Sequence, residues 1–407
     1  MIRRRTDPAV VFVRGFGTTE GFEWGIWLAL TVFWIVELDL SPARLILLGT
    51  VLEATVLLSE TPTGVVADLV SRRRSLILAQ VIMAISFVWA FATTNYWIVL
   101  SAQAAFGFGW TFRSGADTAW VTDELKGRGT VTDDDVEKLL LQKHRWGMFV
   151  SLLVGPLTVA VGWFWSVRAV GIGIGIIYLL IGGWMALVMT EDHFTPGNER
   201  DSGFVQTLRE GLGVIRRRPR LRVLVIVTLL VYSGSEVFDR LGFVHFLDNA
   251  GIGDINESGE SLVAIGILFW VTAIGGIIAN RASEHYLDAG KGVVRIAVVL
   301  LAIAAIGGLL AAATSAVVVI GLGFLLQDSV REAVWPVMEG WANRDAPSEV
   351  RATVHSLMGQ TISVGEIGGG LLLGAVAEAT SIPLAMAIGA LFFGAAGLFA
   401  TKGIEHS

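Results

Sequence analysis

The chain contains no cysteine and little charge. Of its 407 residues none is Cys, and Asp, Glu, Lys and Arg together make up only 16%. The missing cysteine excludes disulfides, thiolate metal sites and cysteine nucleophiles. A soluble globular domain is normally about one quarter charged, whereas 54% of this chain is hydrophobic and its mean hydropathy is +0.66. We therefore predict a protein embedded in a lipid bilayer.

Signatures of enzymes and of bound cofactors are also missing. The six histidines are scattered without an H-x-x-x-H pair, which leaves a metal site without support. The sequence has no G-x-S-x-G, no H-E-x-x-H and no nucleotide-binding P-loop, which argues against an intramembrane hydrolase and against direct use of ATP. We expect a protein that is not an enzyme and has no cofactor, no metal and no nucleic-acid partner.

About twelve apolar segments of membrane-spanning length follow one another along the chain. They lie near residues 14–38, 44–68, 74–93, 96–122, 144–165, 169–190, 223–248, 261–280, 293–313, 315–341, 352–378 and 381–401. The first is too long for a secretory signal and lacks an A-x-A site, so we expect it to be retained. The predicted fold class is an all-α membrane protein with twelve transmembrane helices in two six-helix bundles. We assign the bundles to residues 1–190 and 223–407, joined by a cytoplasmic linker at 191–222.

The positions of Lys and Arg predict the orientation. Most of them fall in the termini and in the even-numbered loops, at Arg72 to Arg74, Lys126 to Arg145, Arg200 to Arg222, Arg281 to Arg295, and Arg344 with Arg351. Only Arg44 and Arg168 fall in the other loops. Because Lys and Arg are enriched on the cytoplasmic side of a membrane, we predict a multi-pass protein of the plasma membrane with both termini cytoplasmic.

A polar turn between the second and third segments carries a recognisable motif. Residues 60–68 read Glu-Thr-Pro-Thr-Gly-Val-Val-Ala-Asp, and three arginines follow at 72–74. The spacing Gly64-x-x-x-Asp68-x-x-x-Arg72-Arg73 resembles the loop 2–3 motif of the major facilitator superfamily. The start of the turn, Glu60-x-Pro62-Thr63-Gly64, is similar to the lead-in of a bacterial branch close to the drug:proton antiporters. Leu69 and Ser71 depart from the motif, at its first basic residue and its second glycine.

The two halves of the chain repeat one another. Serine, acid and tryptophan recur at the same spacing in residues 114–120 and 329–335, and the turn recurs at Gly276 to Arg281. Two matching halves imply a pseudo-twofold axis along the membrane normal. The family resemblance implies a cytoplasmic gate in these regions. The predicted gate residues are Glu60, Gly64, Asp68, Arg72, Arg73, Arg113, Asp117, Asp123, Asn280, Arg281, Asp328 and Glu332.

Charged side chains within the apolar segments indicate where function lies, because a charge at membrane depth is costly and persists only if it is paired or used. The candidates for proton coupling or substrate binding are Glu20, Glu23, Trp24, Glu53, Trp110, Glu236, Asp239 and Glu366. Glu20, Glu23 and Glu53 have few evident partners, which suits proton carriers. The alternative is that they are water-exposed carboxylates near the membrane face.

Several charges are four residues apart, as neighbours on one helical face would be. Glu236 and Arg240 have this spacing, and so do Arg113 and Asp117, and Asp328 and Glu332. For the last two pairs we prefer a structural clamp between helices over contact with a substrate.

The function that we predict is proton-coupled efflux of a small apolar or cationic compound by alternating access. Gly155-Pro156 looks like the core of the antiporter motif of the efflux branch, which favours export. One alternative is a proton symporter that imports a nutrient or a siderophore-like molecule. Another is a receptor or assembly factor with the same fold and no transport. The expected partners are a small-molecule substrate, protons and the lipid bilayer, and the resemblance implies a monomer.

Overall fold

The computed structural model describes residues 6–129, 133–196, 212–251, 258–288, 292–346 and 351–405. Within these ranges every regular element is a helix and no strand occurs. The prediction of an all-α membrane protein is confirmed, and the exact number of crossings is a separate question.

The helices follow one another along the described ranges. The first helical stretch is composed of α1 (Pro8–Val10), π1 (Val11–Phe16), α2 (Gly17–Val32) and π2 (Phe33–Glu37), where π marks a π-helix. It is followed by α3 (Pro42–Leu69), α4 (Arg72–Phe91), α5 (Tyr96–Arg113), α6 (Ala116–Gly127), α7 (Asp133–Phe164) and α8 (Val167–Val188). The remainder contains α9 (Pro219–Val237), π3 (Phe238–Gly242), α10 (Phe243–Ala250), α11 (Ser258–Asp288), α12 (Val293–Ala312), α13 (Val317–Asp345), α14 (Arg351–Ala379) and α15 (Ile382–Glu405).

Nine helices of the described ranges are long and apolar enough to cross a bilayer. They are Pro42–Leu69, Arg72–Phe91, Lys138–Phe164, Val167–Val188, Pro219–Ala250, Ser258–Leu287, Val293–Ala312, Thr353–Ala379 and Ile382–Gly403. The other three predicted segments are the first, which π1 and π2 interrupt, and the fourth and tenth, which carry charged side chains. The count of twelve crossings stays a prediction.

The chain divides into two compact units. Unit 1 takes its described residues from the ranges 1–39, 54–201 and 254–263, and unit 2 from 40–53, 202–253 and 264–407. Helix α3 therefore contributes residues 42–53 to unit 2 and residues 54–69 to unit 1. The predicted bundle boundaries and the linker at 191–222, of which residues 197–211 lie outside the described ranges, stay a prediction.

A stripe of glycines holds α2 close to α7 in unit 1. A Cβ atom on Gly17 would lie 2.8 Å from the carbonyl oxygen of Lys143, and one on Gly21 would lie 2.5 Å from Val150 Cβ. Gly25 continues the stripe, with Val154 Cγ1 at 2.6 Å. Small residues four apart let two helix backbones approach closely in a membrane. The acids of α2 are thereby brought within reach of side chains on α7.

The predicted fourth segment, residues 96–122, is not one helix. Helix α5 ends at Arg113, Gly115 has a left-handed φ of 72°, and α6 begins at Ala116. Glycine tolerates this backbone conformation because it has no Cβ. The break means that residues 113 and 117 do not lie on successive turns of one helix. By contrast, the predicted fifth segment, residues 144–165, belongs to a longer continuous helix, α7, which begins at Asp133.

Candidate functional site

In unit 1 the acids of α2 contact cations from α5 and α7. Arg113 Nη1 lies 2.5 Å from Glu23 Oε1, and Lys143 Nζ lies 2.7 Å from Glu20 Oε1 and 2.9 Å from Asp117 Oδ2. The Arg113 side chain is only 9% exposed. The expectation that Glu20 and Glu23 have few partners was therefore wrong, because their partners lie far along the chain. We name these five side chains the unit 1 cluster.

The break at Gly115 decides which of these groups pair. Arg113 binds Glu23, whereas Asp117 binds Lys143, although Arg113 and Asp117 are four residues apart. The i, i+4 rule applies to a continuous helix, and here the helix is interrupted between them. Lys143 was missed because its position fell in a predicted loop.

Aromatic side chains of unit 1 lie at the unit 1 cluster. The Arg113 guanidinium lies 4.3 Å from the ring centre of Trp110. The hydroxyl of Tyr178, a residue that the sequence did not single out, donates to the carbonyl oxygen of Thr19 at 2.9 Å. Trp110 thus stabilises a cation of the protein itself. Trp24, the other predicted aromatic, is 38% exposed.

In unit 2 two arginines contact acids. Arg240 Nε lies 3.0 Å from Glu236 Oε1, as their spacing indicates. Arg331 Nη2 lies 2.9 Å from Asp239 Oδ1 and 2.8 Å from Asp328 Oδ1. The side chain of Glu332 is 62% exposed, 3.9 Å from Arg331. Asp328 and Glu332 therefore share a cation rather than forming a clamp of their own.

Two further acids of unit 2 meet each other. Ser363 Oγ donates to Glu53 Oε2 at 2.9 Å, and the carboxyl of Glu366 lies near that of Glu53. Two neighbouring ionised carboxylates repel each other, so a proton on one of them stabilises this arrangement. The pairing was not foreseen because Glu53 and Glu366 lie on α3 and α14, at opposite ends of the sequence.

Glycines of α3 and α14 make room for the buried carboxylate of Glu236. A Cβ atom on Gly49 would collide with Glu236 Oε1, and one on Gly370 would lie 3.0 Å from Glu236 Cγ. The six acids named above and the two arginines form what we call the unit 2 cluster: Glu53, Glu236, Asp239, Asp328, Glu332, Glu366, Arg240 and Arg331.

A small cavity adjoins the unit 2 cluster. Its volume is about 10 Å³, and its lining is Phe238, Asp239, Phe243, Leu268, Phe269, Thr272, Phe324, Gln327 and Asp328. Phe243 stacks on Phe269 and on Phe324, with ring centres 5.2 and 5.7 Å apart. Gln327 is 1% exposed, and within the described residues neither of its amide atoms has a hydrogen-bond partner. One wall of the cavity is thus aromatic and the other offers polar oxygens.

Ion pairs and hydrogen bonds to helix ends stabilise the predicted gate turn of unit 1. Arg72 binds Asp68 at 3.0 Å and also binds Asp123. Arg73 donates to the carbonyl oxygens of Ala186 and Met189 at 2.6 and 2.9 Å, which caps the end of α8. Ser71, which replaces the second glycine of the motif, caps the start of α4: its hydroxyl accepts a hydrogen bond from the amide of Arg74 at 3.0 Å.

The other predicted gate residues differ in burial. Glu60 is exposed, and a side chain added at Gly64 would meet no atom within 4 Å. Asn280 is half-buried and Arg281 is exposed, and no ion pair joins Arg281 to an acid of the described ranges. The second turn therefore lacks the contacts of the first within the described part of unit 2.

Glu124 of α6 is a structural residue that the sequence did not single out. It is 1% exposed and accepts from the hydroxyl of Thr190 at 2.7 Å and from the amides of Asp192 and His193 at 2.7 and 2.9 Å. Burial alone would raise the pKa of Glu124, but these hydrogen bonds outweigh it and lower the pKa below its usual range. The sequence around Glu124 contains no pattern that predicts this hydrogen-bonding role, because its partners at Thr190 to His193 lie far along the chain.

Comparisons with known proteins agree on one family. A sequence model of the Major Facilitator Superfamily matches residues 144–370. The uncharacterized MFS-type transporter YxaM of Bacillus subtilis (strain 168) is 22% identical over 390 residues, which are 93% of this chain and 91% of that protein.

Solved structures of transporters have the same fold. The nucleoside transporter NupG superposes with a TM-score of 0.76 at 14% identity, over 98% of this chain and 100% of that chain. A bacterial homologue of the human lysosomal transporter Spinster gives a TM-score of 0.74 at 15% identity, over 97% and 96%.

Proposed function

Because the chain belongs to the Major Facilitator Superfamily, we propose that it exchanges a small organic cation for protons by alternating access. It is a multi-pass membrane transporter of this type, which binds small-molecule substrates and is not an enzyme. The substrate, the coupling to protons and the direction are the parts that we propose.

The observation that carries the proposal is the excess of acid in the unit 2 cluster. Six carboxylates face two arginines there. Four of the acids, Glu53, Glu236, Asp239 and Glu366, lie in candidate membrane spans. Unpaired negative charge at membrane depth is costly, so protons or a bound cation must balance it. A site that binds protons or a cation to balance its charge is what a proton-coupled carrier of cations needs.

Glu53 and Glu366 are the proposed proton carriers. Their carboxyls lie near each other and, in this proposal, share one proton, while Ser363 donates to Glu53 from the same helix as Glu366. Loss of that proton leaves two adjacent carboxylates that repel each other. Arrival or departure of the proton therefore changes the stability of the contact between α3 and α14, which couples protonation to conformation.

The cavity beside the cluster supports a cationic substrate. Asp239 and Asp328 bind one arginine through their Oδ1 atoms, which leaves further lone pairs and a net charge of −1. The unpartnered Gln327 oxygen adds an acceptor, and the phenylalanine rings attract cations. The volume of about 10 Å³ has room for a group of the size of one water molecule, which is also the size of an ammonium head.

The test is transport in liposomes that contain the purified full-length protein. A pH gradient is imposed, and movement of ethidium, tetraphenylphosphonium and an uncharged dye is followed together with the internal pH. We expect the cations to move with the gradient and to carry protons the other way. Glu53→Gln combined with Glu366→Gln removes the coupling, whereas Glu284→Gln, a change of an exposed acid on α11, serves as the matched control and keeps it.

Two outcomes would overturn the proposal. Movement that ignores the pH gradient contradicts proton coupling, and movement of the uncharged dye alone contradicts a cationic substrate. Export rests on the Gly155-Pro156 pattern in α7. Reversing the gradient in protein of known orientation separates export from the alternative, import by symport.

A further inference from the structure

An open groove lies in unit 1 between the beginning of the first helical stretch and α7. Its volume is about 450 Å³. The lining residues are Ala9, Val10, Val13, Arg14, Leu139, Gln142, Arg145, Trp146 and Phe149. The groove takes no part in the ion pairs of the unit 1 cluster, so the proposed transport leaves it without a role.

The polar end of the groove is cationic. Arg14 and Arg145 are exposed, and none of the nine lining residues is acidic. The guanidinium of Arg14 lies 5.9 Å from the ring centre of Trp146, whose indole N–H donates to Thr18 Oγ1 at 2.9 Å. No ion pair joins either arginine to an acid within the described ranges. Two cations without a carboxylate partner attract an anion.

The rest of the groove is apolar and continues along α7. Beside and beyond Phe149 the exposed side chains of this helix include Met148, Leu152, Leu153 and Leu157, which are 41%, 54%, 60% and 54% exposed. They belong to the candidate span Lys138–Phe164. Apolar surface favours contact with hydrocarbon, so a molecule that follows this surface from the arginines is anionic at one end and a hydrocarbon at the other.

We propose that the groove binds one anionic phospholipid. The phosphate lies between Arg14 and Arg145, and an acyl chain passes Val10 and Phe149 and continues along α7. Trp146 stands beside the phosphate at the level of the headgroups, where tryptophan is enriched. Basic pockets between membrane helices bind anionic headgroups by the same combination of charge and apolar surface.

The experiment is native mass spectrometry of the full-length protein in detergent, titrated with phosphatidylglycerol or with phosphatidylcholine. We expect one phosphatidylglycerol to remain bound under conditions that remove phosphatidylcholine. Arg14→Gln combined with Arg145→Gln weakens this binding about 30-fold, since each cation near a lipid surface contributes about a factor of five. Val10→Trp fills the groove without altering its charge and also weakens binding.

The matched control is Arg222→Gln combined with Arg295→Gln, which removes two exposed arginines from helix starts of unit 2. An equal loss in this control means attraction by net charge alone and overturns the site. Equal retention of both lipids also overturns it. Glycerol 1-phosphate that displaces phosphatidylglycerol as effectively as the lipid itself indicates a site for free phosphate. Unchanged binding by Val10→Trp shows that the groove is not where the lipid lies.

Discussion

The two charge clusters differ in their balance. In the unit 1 cluster three acids face two cations, and each acid lies within 3 Å of one of them, as Glu23 does with Arg113 at 2.5 Å. In the unit 2 cluster six acids face two arginines, and two of the acids, Glu53 and Glu366, lie near each other. A nearby cation stabilises the ionised form of a carboxylate, so such an acid stays ionised. Neighbouring acids destabilise the ionised form, so an acid in an excess of acids binds a proton more readily. Unit 1 thus has the chemistry of a clamp and unit 2 that of a coupling site.

The same substitution in both clusters tests this difference, and the larger effect is expected in unit 1. Glu23→Gln leaves the Arg113 guanidinium, 9% exposed, without its partner carboxylate. Removing one member of a buried ion pair costs about 3–5 kcal/mol. We expect a loss of stability of about 3 kcal/mol, measured as the free energy of unfolding in an SDS titration.

The double variant Glu23→Gln with Arg113→Gln provides the control. It removes the pair rather than one partner, so it should be more stable than the sum of the two single changes predicts. A Glu23→Gln protein of normal stability that has lost proton coupling would reverse the assignment of roles between the two units.

A hydrogen-bonded acid elsewhere in unit 1 sharpens the contrast. The amides and the hydroxyl that Glu124 binds stabilise its ionised form and lower its pKa, although burial opposes this. A lowered pKa contributes stability that is complete above the ordinary value of 4.5 and is lost as the pH falls below it. Glu124→Gln should cost about 1–3 kcal/mol at pH 7.

The check is the midpoint of thermal unfolding between pH 3 and pH 7. The natural protein should lose stability relative to the Glu124→Gln variant toward the acid end, so the two curves converge there. Parallel curves over the whole range would mean that Glu124 is not the ionised clamp described. Gln142→Leu, a change of an exposed residue on α7, controls for the general effect of acid.

Much of the fold follows from the sequence, but the pairing of its charges does not. Apolar length and turn residues predict helices well, and the spacing of Glu236 and Arg240 predicts their contact because it is local. Glu23 with Arg113, and Glu53 with Glu366, are pairs between distant helices. Periodicity within one segment carries no information on which other helix it meets.

Local departures were equally hard to foresee. The break at Gly115 separates Arg113 from Asp117, and the change to Ser71 within the predicted gate motif creates a helix cap. In both cases one residue decides the local backbone, and its effect on neighbouring charges appears only in three dimensions.

Glu366→Gln in unit 2, the counterpart of Glu23→Gln in unit 1, should lose little stability. Glu366→Gln replaces a carboxyl near that of Glu53 by an uncharged amide of similar shape that can donate a hydrogen bond to Glu53. We expect a change within about 1 kcal/mol in the SDS titration, together with the loss of coupling proposed above. A drop as large as that of Glu23→Gln would show that the acid excess is structural as well.

The smallest effect is expected at the predicted gate. Asp68 is 58% exposed, and its ion pair with Arg72 faces solvent on one side. An exposed ion pair contributes about 0–1 kcal/mol, and Arg72 keeps Asp123 as a second partner after Asp68→Asn. The free energy of unfolding should therefore change by less than about 1 kcal/mol, whereas Arg73→Gln, which uncaps α8, should cost more. If Asp68→Asn nevertheless slows transport in liposomes, the pair acts in gating rather than in folding, and unit 1 contains a switch in addition to its clamp.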